Sequence, residues 1–329
     1  MQLPVVERAK EMGLRTICFA WPQGAVCKDV CDVFYPVSIT EKEEILRLCR
    51  EEHIDGICTI ASDVAAPTVA YVAQEMGLPG NEYNASVRAH DKHLMRDVLV
   101  AAGVDCPRTD GVHLPVIVKP TDRSGSLGVQ KVERQEDLEQ AIRQAKALSL
   151  CGEALVEEFI EGREISVEMI SQNGKHYALQ ITDKDTTGAP HFVELGHHQP
   201  SSLPVEMQER IFAITRRALD ALGITQGASH SEYKITDAGR IVVMEIAGRM
   251  GGDFIGSDLV QLSTGYDFLR GVIEVALGLP IHVEVKPLAK SSVVFIAPQN
   301  VLCSADRTGY IIYRNDEIYR QSVGSSTDL

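Results

Sequence analysis

The chain has 329 residues, of which 44% are apolar and 24% are charged, and this composition is typical of a globular protein with two or three domains. Its net charge of −14 argues against surfaces that bind nucleic acids or acidic membranes, although a local cluster of Lys, Arg and metal would still hold an anionic ligand. No apolar segment approaches membrane-spanning length, no secretory signal is recognisable and the eight cysteines form no CxxC pair. We therefore expect a cytoplasmic protein with reduced thiols.

Helix and strand patterns alternate through the first ninety residues. Apolar spacing predicts helices over 3–12, 41–53 and 66–76, and strands over 15–20, 33–37 and 55–60. Thr40 with Glu43 is expected to cap the second helix, and Ser62 with Asp63 the third. This alternation predicts a parallel α/β domain over residues 1–90. Because such a domain normally begins with a strand, its first strand is expected to be missing. No G-x-G-x-x-G fingerprint supports a dinucleotide site.

A lysine-ended strand and a glycine-rich loop follow this domain. Asp91 is expected to cap a helix over 92–102. The apolar strand over 116–120 is followed directly by a loop over 121–129, whose serines and glycines are Ser124, Gly125, Ser126 and Gly128. Such loops present backbone N–H groups to phosphates, although taken alone they are more often surface hairpins. The loop lacks the G-K-[ST] of a P-loop, but Lys119 just before it favours the phosphate interpretation.

The rest of the chain predicts more strands than helices. Strands are expected over 154–160, 164–170, 176–181, 291–298 and 310–313, and helices over 137–147, 204–222 and 264–277. Residues 182–203 are interpreted as a connection, and residues after 313 as a polar tail. His197 and His198 in that connection make no metal site without a third ligand, so His197 is only a candidate for contact with substrate.

The segment 231–253, SEYKITDAGRIVVMEIAGRMGGD, predicts two strands joined by a four-residue loop. That loop would place Thr236 opposite Ile241, and therefore Glu232 opposite Glu245. Facing like charges destabilise a strand pair, so either the loop length differs, or both carboxylates reach water, or a divalent cation lies between them. We favour the cation, because oxygen ligands suit magnesium.

Further features near this hairpin favour an anionic ligand. Lys234 is expected on the same face as the two glutamates. Arg249 follows the second strand and is able to clamp a phosphate or carboxylate with two hydrogen bonds. Gly251 and Gly252 would let the backbone approach a ligand closely.

The order of these motifs resembles the ATP-grasp superfamily of carboxylate–amine or carboxylate–thiol ligases. The order is Lys92, Lys119, the glycine-rich loop, the strand 157–160 with Glu164 after it, Glu232, Glu245 and Arg249. The resemblance covers about residues 85–285. It implies an N-terminal parallel α/β domain (1–90) followed by an ATP-grasp fold of two α+β subdomains (91–285), with a mobile lid over about 108–156. Residues 286–329 form a C-terminal segment whose truncation is left open.

The resemblance also implies how the nucleotide is held. Lys92 and Lys119 resemble the lysines that hold the ATP phosphates, and the loop that closes over them comprises Ser124, Gly125, Ser126 and Gly128. The strand that reads the adenine edge, largely through its backbone, comprises Glu157, Glu158, Phe159 and Ile160. Glu164 resembles the carboxylate that binds the ribose hydroxyls.

For the metal and the chemistry, the resemblance implies Mg²⁺ held by Glu232 and Glu245, with Mn²⁺ as an alternative. Arg249 resembles the arginine that steadies an acyl phosphate, and it is the expected catalytic group together with Lys119. The residues expected to contact substrate are His197, Arg249, Gly251 and Gly252.

One position departs from the family pattern. The usual E-x-N-x-R is Glu245-Ile246-Ala247-Gly248-Arg249 here, so an alanine replaces the asparagine that normally shares the metals. The motifs are most similar to the L-amino acid ligase branch and imply a cytoplasmic, ADP-forming ligase that joins a small carboxylate to an amine, without nucleic acid or membrane partners. A nucleotide-binding module without turnover, a biotin carboxylase or phosphoribosylglycinamide type of ligase, and a homodimer stay open.

Overall fold

The computed structural model describes residues 2–298, 301 and 303–323. Its N-terminal part contains a parallel pair of strands, β1 (Ile17–Phe19) and β2 (Val33–Tyr35). The helices around this pair are α1 (Leu3–Glu11), α2 (Lys42–Glu51), α3 (Ala66–Met76) and α4 (Tyr83–His90). The parallel pairing agrees with the predicted α/β class.

The predicted strand over 55–60 is wrong. Only Ile60 forms an isolated bridge, with Met250. A Cβ added at Gly56 would lie 2.6 Å from the carbonyl oxygen of Ala276, so the segment packs tightly against another part of the backbone instead of joining a sheet. Its apolar residues therefore reflect burial rather than strand pairing.

Two of the three predicted helix caps are also wrong. α2 begins at Lys42 after Glu41, and α3 begins after Ala65, in both cases without a side-chain cap. Asp63 is instead ion-paired with a distant arginine, described below. The third cap is confirmed, because Asp91 accepts a hydrogen bond from the N–H of Leu94 at 3.0 Å.

A three-stranded antiparallel sheet, the small sheet, comes next in the chain, with strand order β4-β3-β5. Its elements are β3 (Val116–Pro120), β4 (Gln130–Val132), α6 (Gln135–Leu148) and β5 (Ala154–Glu158), and it is preceded by α5 (Lys92–Ala101). Ala141 and Ala145 of α6 pack with Val116, Val118 and Val132 of the sheet. The glycine-rich loop is the connection from β3 to β4.

An eight-stranded sheet, the large sheet, contains most of the remaining chain, in the order β10-β9-β6-β7-β8-β11-β12-β13. Its first five strands along the chain are β6 (Arg163–Gln172), β7 (Lys175–Thr186), β8 (Glu194–Gln199), β9 (Gly227–Ile235) and β10 (Ile241–Ala247), with α7 (Val205–Leu222) between β8 and β9. The interpretation of 182–203 as a connection is wrong, since β7 continues to Thr186 and β8 lies within it. Its charges concealed these strands, because Lys184 is buried within ion pairs.

The C-terminal elements complete the large sheet. A π-helical turn (Ile255–Leu259) continues into α8 (Val260–Thr264), and α9 (Phe268–Ala276), β11 (Ser291–Ile296), β12 (Gly309–Arg314) and β13 (Glu317–Val323) follow. The predicted helix over 264–277 is confirmed as α9, but its start is wrong, because Gly265 ends α8 at a φ of 76° and α9 begins at Phe268. The predicted tail contains β13, and its residues 324–329 lie outside the described residues. The domain boundaries stay predictions, but β11 pairs directly with β8.

Alternation along the central strands separates an apolar face from a polar one. On β6, Ile165, Val167 and Met169 point into a core shared with α4, α5 and α7. Ser166 and Glu168 alternate with them, and both are fully buried. The polar side chains of this second face are thus placed towards the cleft. Among the described residues, no helix is long and apolar enough to cross a membrane.

Candidate active site

A cleft of about 250 Å³ lies between the small sheet and the large sheet. Eleven of the predicted site residues line it: Lys92, Lys119, Ser124, Gly125, Ser126, Glu157, Glu164, Glu232, Glu245, Arg249 and Gly252. The structure therefore brings residues that are up to 160 positions apart into one cavity. Six predicted residues are not among those that line it: Gly128, Glu158, Phe159, Ile160, His197 and Gly251.

The two candidate metal ligands face each other, as the hairpin predicts. Glu232 on β9 pairs directly with Glu245 on β10. The predicted register at the loop is wrong, because Ile241 pairs with Ile235 rather than with Thr236. A bulge between Val243 and Glu245 adds one residue to β10 and restores the expected pairing of the glutamates.

Cationic side chains relieve the repulsion between these carboxylates. Glu245 Oε1 accepts a hydrogen bond from Lys92 Nζ at 3.1 Å. Glu232 Oε1 accepts one from Lys184 Nζ at 2.8 Å and lies 3.3 Å from His230 Nε2. Burial alone would raise the pKa of Glu232, but Lys184 and His230 hold it well below its ordinary value. Both carboxylates are thus available as oxygen ligands, and a Mg²⁺ site commonly needs only one or two of them besides substrate phosphates.

A buried ion-pair network supports the phosphate-binding lysine. Lys119 pairs with Glu157, whose second oxygen accepts hydrogen bonds from Arg96 Nε and Nη2 at 3.0 and 2.9 Å. Burial would raise the pKa of Glu157, but Arg96 and Lys119 lower it below its ordinary value. The side chain of Glu157 is therefore used to hold Lys119. That Glu157 contacts the adenine stays a prediction, and the contact would be made by its backbone groups.

The glycine-rich loop contacts the opposite wall of the cleft. Ser126 Oγ donates a hydrogen bond to the carbonyl oxygen of Phe192, in the connection between β7 and β8, at 3.2 Å. Lys92 Nζ also donates to the carbonyl oxygen of Arg123 at 2.7 Å. Gly128 has a φ of 76°, and an added Cβ would lie 2.8 Å from Leu148, so this glycine shapes the loop from outside the cleft.

Three of the four predicted adenine-reading residues, Glu158, Phe159 and Ile160, do not line the cleft. Glu158 is ion-paired with Arg240 at 3.0 Å and with Arg108 at 3.3 Å, while Ile160 is buried. The ring of Phe159 lies under Lys131 and Lys234. Glu164, the predicted ribose ligand, lines the cleft and pairs with Lys234 Nζ at 3.1 Å.

The candidate catalytic arginine is held by the N-terminal part of the chain. Arg249 Nε and Nη2 donate to the two carboxylate oxygens of Asp63 at 2.8 and 2.7 Å. Burial alone would lower the pKa of Arg249, but Asp63 raises it above its ordinary value. The guanidinium group therefore has a fixed plane and a permanent charge at the cleft.

A second polar cluster lies beside the cleft. His197 is fully buried, and its ligand atoms lie within 4.8 Å of those of Glu194 and Asp253, both of which line the cleft. His198 is not part of this group, because it pairs with Asp185 at 2.7 Å. Arg307 binds the Asp253 carboxylate at 2.7 and 3.2 Å, and Lys184 pairs with Glu194, so both carboxylates already have a cationic partner.

Sequence reasoning missed several residues of the site, namely Asp63, Lys184, Glu194, His230 and Asp253. Two of them lie in the segment that was interpreted as a connection. Alternation of polar and apolar residues in KHYALQITDK was the available signal for a strand that continues to Lys184. For Asp63, whose partner is 186 residues away, the sequence offered no comparable signal.

Comparison with known proteins agrees with this arrangement. Residues 112–258 match the family described as ATP-grasp domain. Residues 112–258 therefore have the sequence pattern of an ATP-grasp domain. The predicted fold class and the resemblance to this superfamily are thereby confirmed.

Among curated relatives, the chain is 27% identical over 263 residues to alanine–anticapsin ligase of Bacillus subtilis (strain 168). This match covers 67% of this chain and 55% of that protein. It is 26% identical over 333 residues to carnosine synthase 1 of Homo sapiens, covering 88% of this chain and 40% of that protein. The chain therefore spans about half or less of the length of these two relatives.

The fold is also similar to that of a solved L-amino acid ligase from Bacillus licheniformis. The TM-score is 0.79 at 26% identity, and the match covers 90% of this chain and 77% of that one. The chain is thus similar to the L-amino acid ligase branch in both sequence and fold.

Proposed function

We propose that the protein is an ATP-dependent ligase that joins a small carboxylate, of the amino acid class, to an amine and forms ADP. The observation that carries the proposal is the convergence of Glu232, Glu245, Lys92, Lys119 and Arg249 on one cleft. Carboxylates for a divalent cation and fixed cations for phosphate oxygens are the groups that phosphoryl transfer requires. The names of the relatives support amino acids as the substrate class.

In this proposal, the phosphates of ATP are bound by Lys92 and Lys119, and the loop over 124–128 excludes water from them. Glu232 and Glu245 would hold Mg²⁺, or Mn²⁺, which when bound supplies positive charge to the phosphate oxygens. The carboxylate substrate attacks the γ-phosphorus, which gives an acyl phosphate and ADP. The amine then attacks the acyl carbon, and phosphate leaves.

Arg249 has a defined task in this sequence. Its guanidinium plane is fixed by Asp63, so its remaining N–H groups are directed without further loss of side-chain freedom. We assign to Arg249 the stabilisation of the negative charge that develops on the acyl phosphate. Gly252 lines the same part of the cleft and lets the backbone approach the substrate. His197 is fully buried, so it could contact substrate only if the neighbouring Glu194 and Asp253 moved aside.

The proposal is tested by phosphate release from ATP and Mg²⁺ across a matrix of amino acids and other small carboxylic acids, each paired with amines. Release that requires both an acid and an amine, with a mass-spectrometric product equal to their sum minus water, is the expected result. Release with acid alone would indicate an acyl phosphate that leaks to water. Release that requires bicarbonate would favour the biotin carboxylase alternative, and release that requires glycine together with phosphoribosylamine would favour the phosphoribosylglycinamide alternative.

A second candidate is a nucleotide-binding module without turnover. The observation that favours it is Ala247, which lines the cleft where the family pattern has a metal-binding asparagine. A stoichiometric ATP complex without phosphate release on any pair of substrates would support this candidate. A cytoplasmic location and a homodimer stay predictions. The location would be examined in the native host, and the oligomeric state with the purified chain.

A further inference from the structure

A buried carboxylate–imidazole pair lies in the large sheet, two residues along β9 from the candidate metal ligand Glu232. Glu168 on β6 is directly opposite His230 on β9, just as Ser166 is opposite Glu232 two residues along. Glu168 is fully buried and His230 is 5% exposed. His230 Nδ1 is hydrogen-bonded to Glu168 Oε1, and its Nε2 lies 3.3 Å from Glu232 Oε1. Each ring nitrogen therefore has a carboxylate partner, which fixes the plane of the imidazole.

The contact to Glu232 determines which of its oxygens remains for a cation. Lys184 Nζ, from β7, and His230 Nε2, from the same strand as Glu232, both approach Oε1 of Glu232. Among the described residues, the hydrogen bonds of this carboxylate thus go to one oxygen. An oxygen held at two points sets the direction of the other, so Oε2 is the oxygen that is presented to a metal.

Glu168 also holds the turn that follows β10. Its Oε2 accepts a hydrogen bond from the backbone N–H of Gly251 at 3.0 Å. A Cβ added at Gly251 would lie 2.8 Å from His230 Nδ1 and 2.9 Å from Glu168 Oε1. One carboxylate therefore fixes both the imidazole behind Glu232 and the backbone that leads to Gly252 and Asp253 in the cleft.

The third member of this row across the sheet is Ala247, which is paired with His230 from the other side. Its methyl group offers no hydrogen bond to a ligand or to Glu232. On the other side of Glu168 the row continues to Gln180 of β7, whose side chain donates a hydrogen bond to Ser263 Oγ at 3.3 Å. Among the described residues, the contact from this row to Glu232 is made by the imidazole of His230.

We propose that Glu168 is a positioning residue that orients the metal-binding carboxylate of Glu232 through His230 and anchors the Gly251 turn. The proposal rests on the proposed function in that it takes Glu232 as a metal ligand. Partners of metal-ligating side chains commonly contribute 10- to 100-fold to metal affinity. Removal of the Glu168 charge is expected to weaken metal binding without a corresponding change in metal-free nucleotide binding, because Lys92 and Lys119 are held by other residues.

The test measures Mn²⁺ binding to the ADP complex by electron paramagnetic resonance, and ADP binding in EDTA by calorimetry. Glu168→Gln is expected to raise the Mn²⁺ dissociation constant about 10- to 100-fold and to leave the ADP dissociation constant in EDTA unchanged. Asp220→Asn is the matched control, because Asp220 also pairs with a histidine, His176, at 3.1 Å but does not line the cleft. This control is expected to bind Mn²⁺ like the wild type.

Gly251→Ala provides a second variant that disturbs the pair without altering its charge. It is expected to weaken Mn²⁺ binding in the same direction, and it carries the test where circular dichroism shows that Glu168→Gln does not fold. Wild-type Mn²⁺ affinity in a folded Glu168→Gln protein, or an equal loss of ADP affinity in EDTA, would overturn the inference. A wild-type chain that binds ADP but no Mn²⁺ would overturn the metal site of the proposed function itself, which is a separate result.

Discussion

The two walls of the cleft each contain a fully buried glutamate, but these glutamates support opposite charges. On the small sheet, Glu157 holds Lys119, so this wall presents a cation to the cleft. On the large sheet, Glu168 holds His230, which in turn contacts Glu232, so this wall presents a carboxylate. The comparison indicates a division of work in which one wall binds phosphate and the other binds the metal. In both cases a fully buried carboxylate orients a cationic or imidazole group that lines the cleft.

The walls also differ in how their functional groups are held. The groups of the large sheet lie on paired strands and have ion-pair partners across neighbouring strands. In the part of the chain that the structure describes, the glycine-rich loop of the small sheet has a single side-chain hydrogen bond to the opposite wall, from Ser126. A loop with few contacts is suited to opening and closing, whereas a metal site needs fixed ligands.

The strongest way to break the comparison is to remove charge from the carboxylate wall. Glu245→Gln is expected to lower ATP turnover by at least about 100-fold with the fold intact, because it removes one of two candidate metal ligands. Phosphate release and circular dichroism measure the two effects. Glu133→Gln, which alters an exposed glutamate paired with Lys131, is the control. Normal turnover in a folded Glu245→Gln protein would contradict the proposed metal site.

Asp63→Asn tests whether the N-terminal part contributes a third wall. The substitution leaves the buried guanidinium of Arg249 without its charge partner, which is expected to cost about 3 kcal/mol of stability and to lower the maximal rate of ligation more than the KM for ATP. Urea denaturation and initial rates give these quantities. Asp32→Asn, on the same part of the chain but bound to Thr16, should leave the rate unchanged. An equal loss of rate in both variants would indicate a structural effect only.

Lys119→Ala addresses the phosphate wall. Loss of a charged hydrogen bond to the nucleotide is expected to weaken ATP binding about tenfold, which corresponds to about 1.4 kcal/mol. Titration calorimetry with ATP measures this effect, and Lys146→Ala on the exposed surface of α6 serves as the control. Unchanged ATP affinity would remove Lys119 from the nucleotide site and leave it as the partner of Glu157 alone.

The smallest expected effect concerns the contact between the loop and the large sheet. Ser126→Ala removes the hydrogen bond to the Phe192 carbonyl, a contribution of about 1 kcal/mol, and should raise phosphate release without amine severalfold. The ratio of phosphate released to product formed reports this leak. Ser38→Ala, at a residue that does not line the cleft, is the comparison. An unchanged ratio would show that this contact does not help to exclude water.

Local patterns in the sequence predicted the parts of the molecule that depend on neighbouring residues. Strand alternation and a turn placed Glu232 opposite Glu245, and the lysine before a glycine-rich loop indicated the phosphate wall. The order of these motifs was sufficient for the superfamily, which residues 112–258 confirm. Even here, the correct glutamate pairing depended on a bulge that alternation alone does not reveal.

Tertiary structure alone decided which buried charges meet. Glu168 and His230 are 62 residues apart, and Asp63 and Arg249 are 186 apart. Charged residues such as Lys184 favoured a surface connection in the sequence, because an unpaired charge is too costly to bury. The fold supplies its partners Glu194 and Glu232 from other strands, which makes the burial possible. The sequence by itself therefore determined the chemistry available to the cleft, and the packing of distant strands decided how each charge is oriented.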